Sequence, residues 1–325
     1  MSLSTAVGFI IFSRSNFVEQ VFEVIAQAKP KKLFVIQDAP RLDRPGEAEK
    51  CAAARAVIQK VDWDCEVFTN FSEVNLGPGR RIATGMEWVF SHVEEAIFLE
   101  EDALPSLSYF SFCEAMLERY RHDKRVMSIN GCNYVNRNRT GDSYYFSKYF
   151  DCWGWALWKR SWDYYDYHMK SWPEFQQSGS LDQIFEDPYE KEYWRGAFER
   201  MYRDPQEINT WDIQLQYAIW SQSGLIVSPN KNLIGNIGCN DLEGLHATGK
   251  YDPRADVPIE QLKEIKHPSF VVRNREADQN LFDIIHGGKE IRRRDRPLMK
   301  MLRLLSSSVP SSVKKPVKEF LKGSL

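Results

Sequence analysis

Residues 6–38 read AVGFIIFSRSNFVEQVFEVIAQAKPKKLFVIQD, and the order of elements in this stretch decides the fold class. Ala6 to Ser13 is an apolar run too short for a helix, so it reads as a buried strand. Ser15 and Asn16 then start a helix in which Phe17, Val21, Val24, Ile25 and Ala28 recur at helical spacing. Lys32 to Asp38 repeats the strand pattern. Strand, helix and strand in about thirty residues make a βαβ unit, which needs a parallel pair.

Outward from that unit the alternation continues. A helix is expected over Glu47 to Lys60, a strand over Cys65 to Asn70, a Gly/Pro turn at Asn75 to Gly79, a helix from Arg80 to His92 and a strand at Ala96 to Leu99. The acidic triplet Glu100-Glu101-Asp102 follows at once. Pro105-Ser106 opens another helix through Tyr120, then come a strand at Arg125 to Ile129 and the run Tyr144 to Tyr149. The expected fold is α/β, with a mostly parallel central sheet between helical layers and ligands at the carboxyl ends of its strands. Beyond Trp153 the pattern turns helical and aromatic: Trp155 to Tyr165, Glu192 to Tyr202 and Thr210 to Gln222. Short strands are expected near Leu225 to Val227 and Leu233 to Ile237.

The composition agrees with a large folded body. Of 325 residues 43% are hydrophobic and ten are Trp, which excludes a disordered chain. A net charge of -2 argues against a nucleic-acid coat. No apolar run approaches the ~20 residues that cross a bilayer, and no basic stretch precedes the first strand, so a cytosolic protein is expected. The cysteines at 51, 65, 113, 132, 152 and 239 form no C-x-x-C pair and read as reduced thiols. Residues 291–325 differ from the rest: they carry a net +8, which leaves -10 for residues 1–290. This basic extension, with Leu and Met among its Arg residues, suits an anionic membrane surface or a disordered tail.

Three adjacent carboxylates at the end of a buried strand raise one another's pKa unless a positive charge neutralises them. Hard oxygen ligands suit Mg2+ or Mn2+, which take one or two carboxylates together with a substrate's phosphate oxygens. A solvated loop capping the next helix is the plain alternative. Asn75 to Arg81 (NLGPGRR) sets two arginines at a helix start, where backbone N–H groups and guanidinium forks suit phosphate, and adjacent positions on a helix leave only one of them facing it. No Walker loop and no dinucleotide fingerprint occurs. Trp153-Gly154-Trp155 puts a glycine between indoles that can stack on a sugar ring, whereas Trp158 and Trp162 read as core.

The segment IFLEEDALPSLSYFSFCEAMLERYRHDKRVMSINGCN resembles the strand, acidic motif and helix of GT-A glycosyltransferases, bacterial family-2-like enzymes and N-acetylglucosaminyltransferase I among them. FSRS, IQD, GRRIATGMEWVF, WGW and TWD extend the resemblance over residues 6 to about 246. It implies a GT-A-like domain over residues 1–290 and a metal-dependent hexosyl- or N-acetylhexosaminyltransferase using a nucleotide-sugar donor, with UDP expected. The acceptor would be a glycan or lipid-linked glycan in bacterial polysaccharide synthesis, reached at the inner face of the membrane, with no nucleic acid as partner. In that scheme Asp102 and His246 hold Mn2+ or Mg2+, and Glu100 and Glu101 lie near sugar and ribose. Arg14 and Arg81 meet the diphosphate, Asp38 the base and Trp155 the sugar. Asp212 is the base of an inverting reaction, with Glu207 and Asp163 as substitutes. Glu101 stands where the family usually has Asp. A nucleotidyltransferase acting on sugar phosphates and a noncatalytic sugar-binding protein are the alternatives.

Overall fold

The computed structural model describes residues 2–134, 141–239 and 252–295. The elements run β1 (Ala6–Ile11), α1 (Ser15–Ala28), β2 (Lys32–Gln37), α2 (Glu47–Ile58), β3 (Glu66–Phe71), α3 (Gly77–Phe90), β4 (Glu95–Glu100), β5 (Ala103–Pro105), α4 (Leu107–Tyr120), β6 (Val126–Asn130) and β7 (Tyr144–Ser147). After these come β8 (Trp155–Trp158), α5 (Lys159–Trp162), α6 (Trp172–Gln177), α7 (Leu181–Ile184), α8 (Pro188–Arg203), α9 (Pro205–Ile208), α10 (Asp212–Ser221), β9 (Leu225–Pro229), β10 (Ile234–Asn236), α11 (Arg275–Ile285) and α12 (Gly288–Arg294).

Eight strands form one mixed, mostly parallel sheet in the order β3-β2-β1-β4-β8-β6-β9-β7. The first four are all parallel. They read as apolar runs because helices cover the faces: β1, β2 and β4 are almost wholly buried, and only the edge strand β3 alternates towards solvent. β5 and β10 form a separate antiparallel ribbon beside the end of β4.

One expectation is corrected. Trp155 to Trp158 is a strand, β8, and not the first turn of a helix; it runs antiparallel between β4 and β6, and helix begins only at Lys159. A strand buried on both faces is apolar at every position, so WALW carries no period of two to tell it from helix. Trp158 and Trp162 do lie in the core.

A buried polar cluster ties the carboxyl-terminal helices to the sheet. Asp278 on α11 accepts from the Ser147 hydroxyl at 2.6 Å, from the Lys148 amide at 3.2 Å and from Arg273 Nε at 2.5 Å. Lys148 Nζ pairs with Glu190 of α8 at 2.8 Å. α12 crosses the expected boundary at residue 290, and its Arg292 pairs with Asp187 and Asp283. Most of the basic extension, 296–325, lies outside the described residues. No helix among the described residues is long and apolar enough to cross a membrane.

Candidate active site

β1 and β4 are parallel neighbours, with Ile10 opposite Glu100. The chain winds from β1 through β2 to β3 on one side before it returns to β4 on the other. The carboxyl ends of β1 and β4 are therefore the point where strand order reverses, which is where open α/β sheets leave a ligand crevice. Arg14 leaves β1 there, and the triplet leaves β4.

Arg14 spans the two strand ends. Its Nε donates to Glu101 Oε1 at 2.7 Å and its Nη2 to Asp102 Oδ2 at 2.8 Å. Glu101 is fixed further by the Phe12 amide, 2.6 Å from Oε2. Burial works against the charge on Arg14, but Asp102 and Glu101 outweigh it and raise its pKa. Among the described residues Glu100 has no such partner. Burial pushes its pKa up to about 8, and the carboxylates of Asp102 and Asp212 add to the shift. Asp212, far away in sequence, is thus close enough for its charge to act on Glu100.

Asp212 is the first residue of α10, partly exposed, with one oxygen accepting from the Thr210 hydroxyl. The first turn of α3 locks the approach to it. Gly79 N–H donates to Asn209 Oδ1 at 3.2 Å, and a Cβ on Gly79 would stand 2.8 Å from the Thr210 carbonyl oxygen. Gly77 has φ +75° and abuts the same asparagine. The glycines of NLGPG thus serve close packing against the segment that presents Asp212.

Three residues expected at the donor make contacts within the fold. Asp38 accepts from the amides of Ala39 (2.9 Å), Leu76 (3.0 Å) and Gly77 (2.8 Å), so its carboxylate holds the loop before α3. Arg81 is buried and donates to the carbonyl oxygens of Gln37 (3.1 Å) and Asn70 (2.5 Å), joining the ends of β2 and β3; its neighbour Arg80 is the exposed one. Trp155 is fully buried against Phe98 and Trp211, with ring centroids 5.6 and 4.5 Å away. A polar side chain facing a strand end can serve its own backbone as well as a ligand, and only the tertiary fold decides which. His246 lies outside the described residues.

Trp153, unlike Trp155, is partly exposed. Gly154 has φ +79°, and a Cβ there would stand 1.9 Å from Ile234 Cδ1, so the chain turns where only glycine fits and leaves Trp153 half-exposed. A cavity of about 170 Å³ opens beside it, lined by Tyr134, Asp151, Trp153, Asp212, Arg254 and His286. Arg254 lies 4.8 Å from the centroid of the Trp153 ring. Asp151 accepts from the Trp153 amide at 3.0 Å and the Tyr134 hydroxyl at 3.2 Å. The sequence singled out neither Asp151 nor Arg254. Asp151 adjoins the WGW turn, a signal that could have found it, whereas nothing local marks Arg254. A larger groove of about 540 Å³ runs along α3 past Arg80 and Tyr165, and no residue of the triplet lines it.

His286 also lines the cavity, with Tyr193 Oη 3.0 Å from its Nδ1. Burial, and then the charge on Arg254, push its pKa down to about 4 from an ordinary 6.5. The neutral ring's contribution to stability is therefore complete above pH 6.5 and is lost as pH falls from there towards 4. Urea melts at pH 7 and pH 5 are expected to show wild type losing about 2 kcal/mol more than His286→Gln over that interval. Equal losses would contradict a neutral, partly buried His286.

Among the described residues no three His, Cys, Asp or Glu side chains gather as a complete metal cage. The corner instead holds hard oxygens, more carboxylates than Arg14 alone neutralises, and an Asp102 Oδ1 without a hydrogen-bond partner among the described residues. That set fits an ion held by one carboxylate and completed by a ligand's phosphate oxygens, the usual mode for Mg2+ and Mn2+.

No family model and no curated protein matches the sequence. Solved structures show slight likeness. A mannosyltransferase of Pyrobaculum calidifontis in complex with GDP-Man and Mn2+ is 15% identical over 50% of this chain and 46% of its own, with a TM-score of 0.36. This chain thus spans under half of that enzyme. A UDP-glucose pyrophosphorylase complexed with UDP-glucose is 9% identical over 70% of this chain and 90% of its own, at TM-score 0.36. HddC of Yersinia pseudotuberculosis is 12% identical over 50% and 80%, at TM-score 0.32.

Proposed function

We propose that the protein is a metal-dependent glycosyltransferase that moves a hexosyl or N-acetylhexosaminyl group from a nucleotide-diphosphate donor, UDP being the expected nucleotide, to a glycan hydroxyl with inversion. What supports the reading is the pairing of Arg14 with Glu101 and Asp102 at the switch point between β1 and β4, beside Glu100 and with Asp212 within electrostatic reach. A crevice with a guanidinium fork and surplus carboxylates suits a diphosphate bridged by a cation. A divalent ion shared by Asp102 and the donor's phosphates would neutralise the departing diphosphate. Arg14 binds the same phosphate oxygens and holds them in line. Glu101 fixes the guanidinium through its Nε. Trp153 offers its indole face to a sugar, and Asp151 and Arg254 hydrogen-bond its hydroxyls. Asp212 takes the proton of the attacking hydroxyl. Asp38, Arg81 and Trp155 support the site from behind by fixing the loop, the strand ends and the α10 start. The basic residues 291–325 suit an anionic membrane surface on which a lipid-linked acceptor would lie.

The test is a thermal-shift screen of nucleotide sugars with and without Mn2+, followed by product analysis for any that stabilise the fold. Metal-dependent stabilisation and slow release of free sugar with UDP are expected. Release of a nucleoside triphosphate in the presence of pyrophosphate would assign the site to a nucleotidyltransferase. Stabilisation by free sugars alone, without metal or nucleotide, would assign it to a sugar-binding protein.

A further inference from the structure

We propose that Arg14 is the resident counter-ion of the acidic corner and makes divalent-metal binding conditional on the donor's diphosphate. This inference rests on the reading above that Asp102 takes a metal ion. The Arg14 guanidinium is held from three directions. Asp102 Oδ2 and Glu101 Oε1 take its Nη2 and Nε at 2.8 and 2.7 Å, and Glu101 is itself anchored by the Phe12 amide. The chain leaving β10 covers the pair: the Ile237 amide donates to the Asp102 carbonyl oxygen at 2.9 Å. A Cβ on the next residue, Gly238, would stand 2.6 Å from both Arg14 Nη1 and Asp102 Oδ2, so the backbone passes over the ion pair with no room for a side chain.

Asp102 therefore offers a cation a single oxygen, and that oxygen sits beside a full positive charge. In a partly desolvated corner the repulsion between guanidinium and metal is stronger than it would be in water. A bare ion must either bear that repulsion or break a doubly anchored pair. A nucleotide diphosphate reverses the balance, because its oxygens bind the guanidinium fork and complete the metal's shell at once. The arrangement keeps the corner from loading with free metal and makes nucleotide and metal enter together. It also makes the coupling reciprocal, so that metal tightens nucleotide by the same factor.

The experiment measures Mn2+ binding to the full chain by the electron-paramagnetic-resonance signal of free Mn2+ and by calorimetry, without nucleotide and with saturating UDP. For wild type, UDP is expected to tighten Mn2+ about tenfold or more. In Arg14→Met, bare Mn2+ is expected to bind about fivefold tighter than in wild type, and the effect of UDP is expected to shrink to about threefold or less. Arg14→Lys keeps a charge for folding but loses the fork, and is expected to fall between the two. Thermal melting shows which variants are folded. UDP-promoted Mn2+ binding that persists in wild type while the folded Arg14 variants bind bare Mn2+ no tighter would overturn the role of Arg14 alone. Failure of wild type to bind Mn2+ even with UDP would overturn the metal reading and this inference with it.

Discussion

Asp212→Asn is expected to lower turnover of the donor by about 10²- to 10⁴-fold, the range for loss of a positioned general base. The substitution changes chemistry and little else. Asparagine has the same shape, its carbonyl oxygen can still accept from the Thr210 hydroxyl, and the glycine-bounded contact of the α3 turn with Asn209 and Thr210 stays intact. It cannot, however, take a proton. Hydrolysis of whichever nucleotide sugar the screen identifies reads the effect with water as the acceptor, and UDP affinity is expected to stay within about twofold, because the base acts on the attacking hydroxyl rather than the nucleotide. Turnover retained at wild-type level would remove Asp212 from the mechanism. A loss of both turnover and UDP affinity would mark it as part of the donor site.

The second large effect is on stability. Asp278→Ala is expected to cost about 3–5 kcal/mol in chemical denaturation, since it removes one partner of a buried ion pair and leaves the other charge uncompensated. Asp278 is 1% exposed and is the common acceptor for Ser147, Lys148 and Arg273. Among the described residues its loss leaves the Arg273 guanidinium with Glu186, at 3.4 Å, as ion-pair partner, and frees α11 from β7. Because α11 supplies Leu281 and Ile285 to the wall of the cavity beside Asp212, the variant is also expected to weaken binding there. A stability change below about 1 kcal/mol would show that the cluster sets specificity of packing rather than stability.

These two residues mark what the sequence could and could not disclose. The parallel half of the sheet was legible because β1, β2 and β4 are buried on both faces, and their apolar runs alternate with helices of clear period. The corner was legible for the same reason: Arg14 and Glu100 to Asp102 stand directly after such runs, and strand ends are where α/β sheets place ligands. β8 was not legible, since a central strand of WALW has no polar face to reveal its period. Nor could the sequence separate Arg80 from Arg81, or Trp153 from Trp155. In each pair the residues are near neighbours of like chemistry, and which one turns inward depends on a strand end or a positive-φ glycine that becomes visible only in three dimensions. The role of Asp278 is a contact between distant segments with no local pattern.

If the carboxylates after β4 hold a cation against the phosphates of a nucleotide, crystals soaked with Mn2+ and UDP will show it in an anomalous difference map. A manganese peak beside Asp102 Oδ1, with the diphosphate spanning the ion and Arg14, is the predicted result. UDP bound elsewhere on the molecule, or bound in the crevice with Arg14 still paired to Asp102 and no manganese peak, would contradict it.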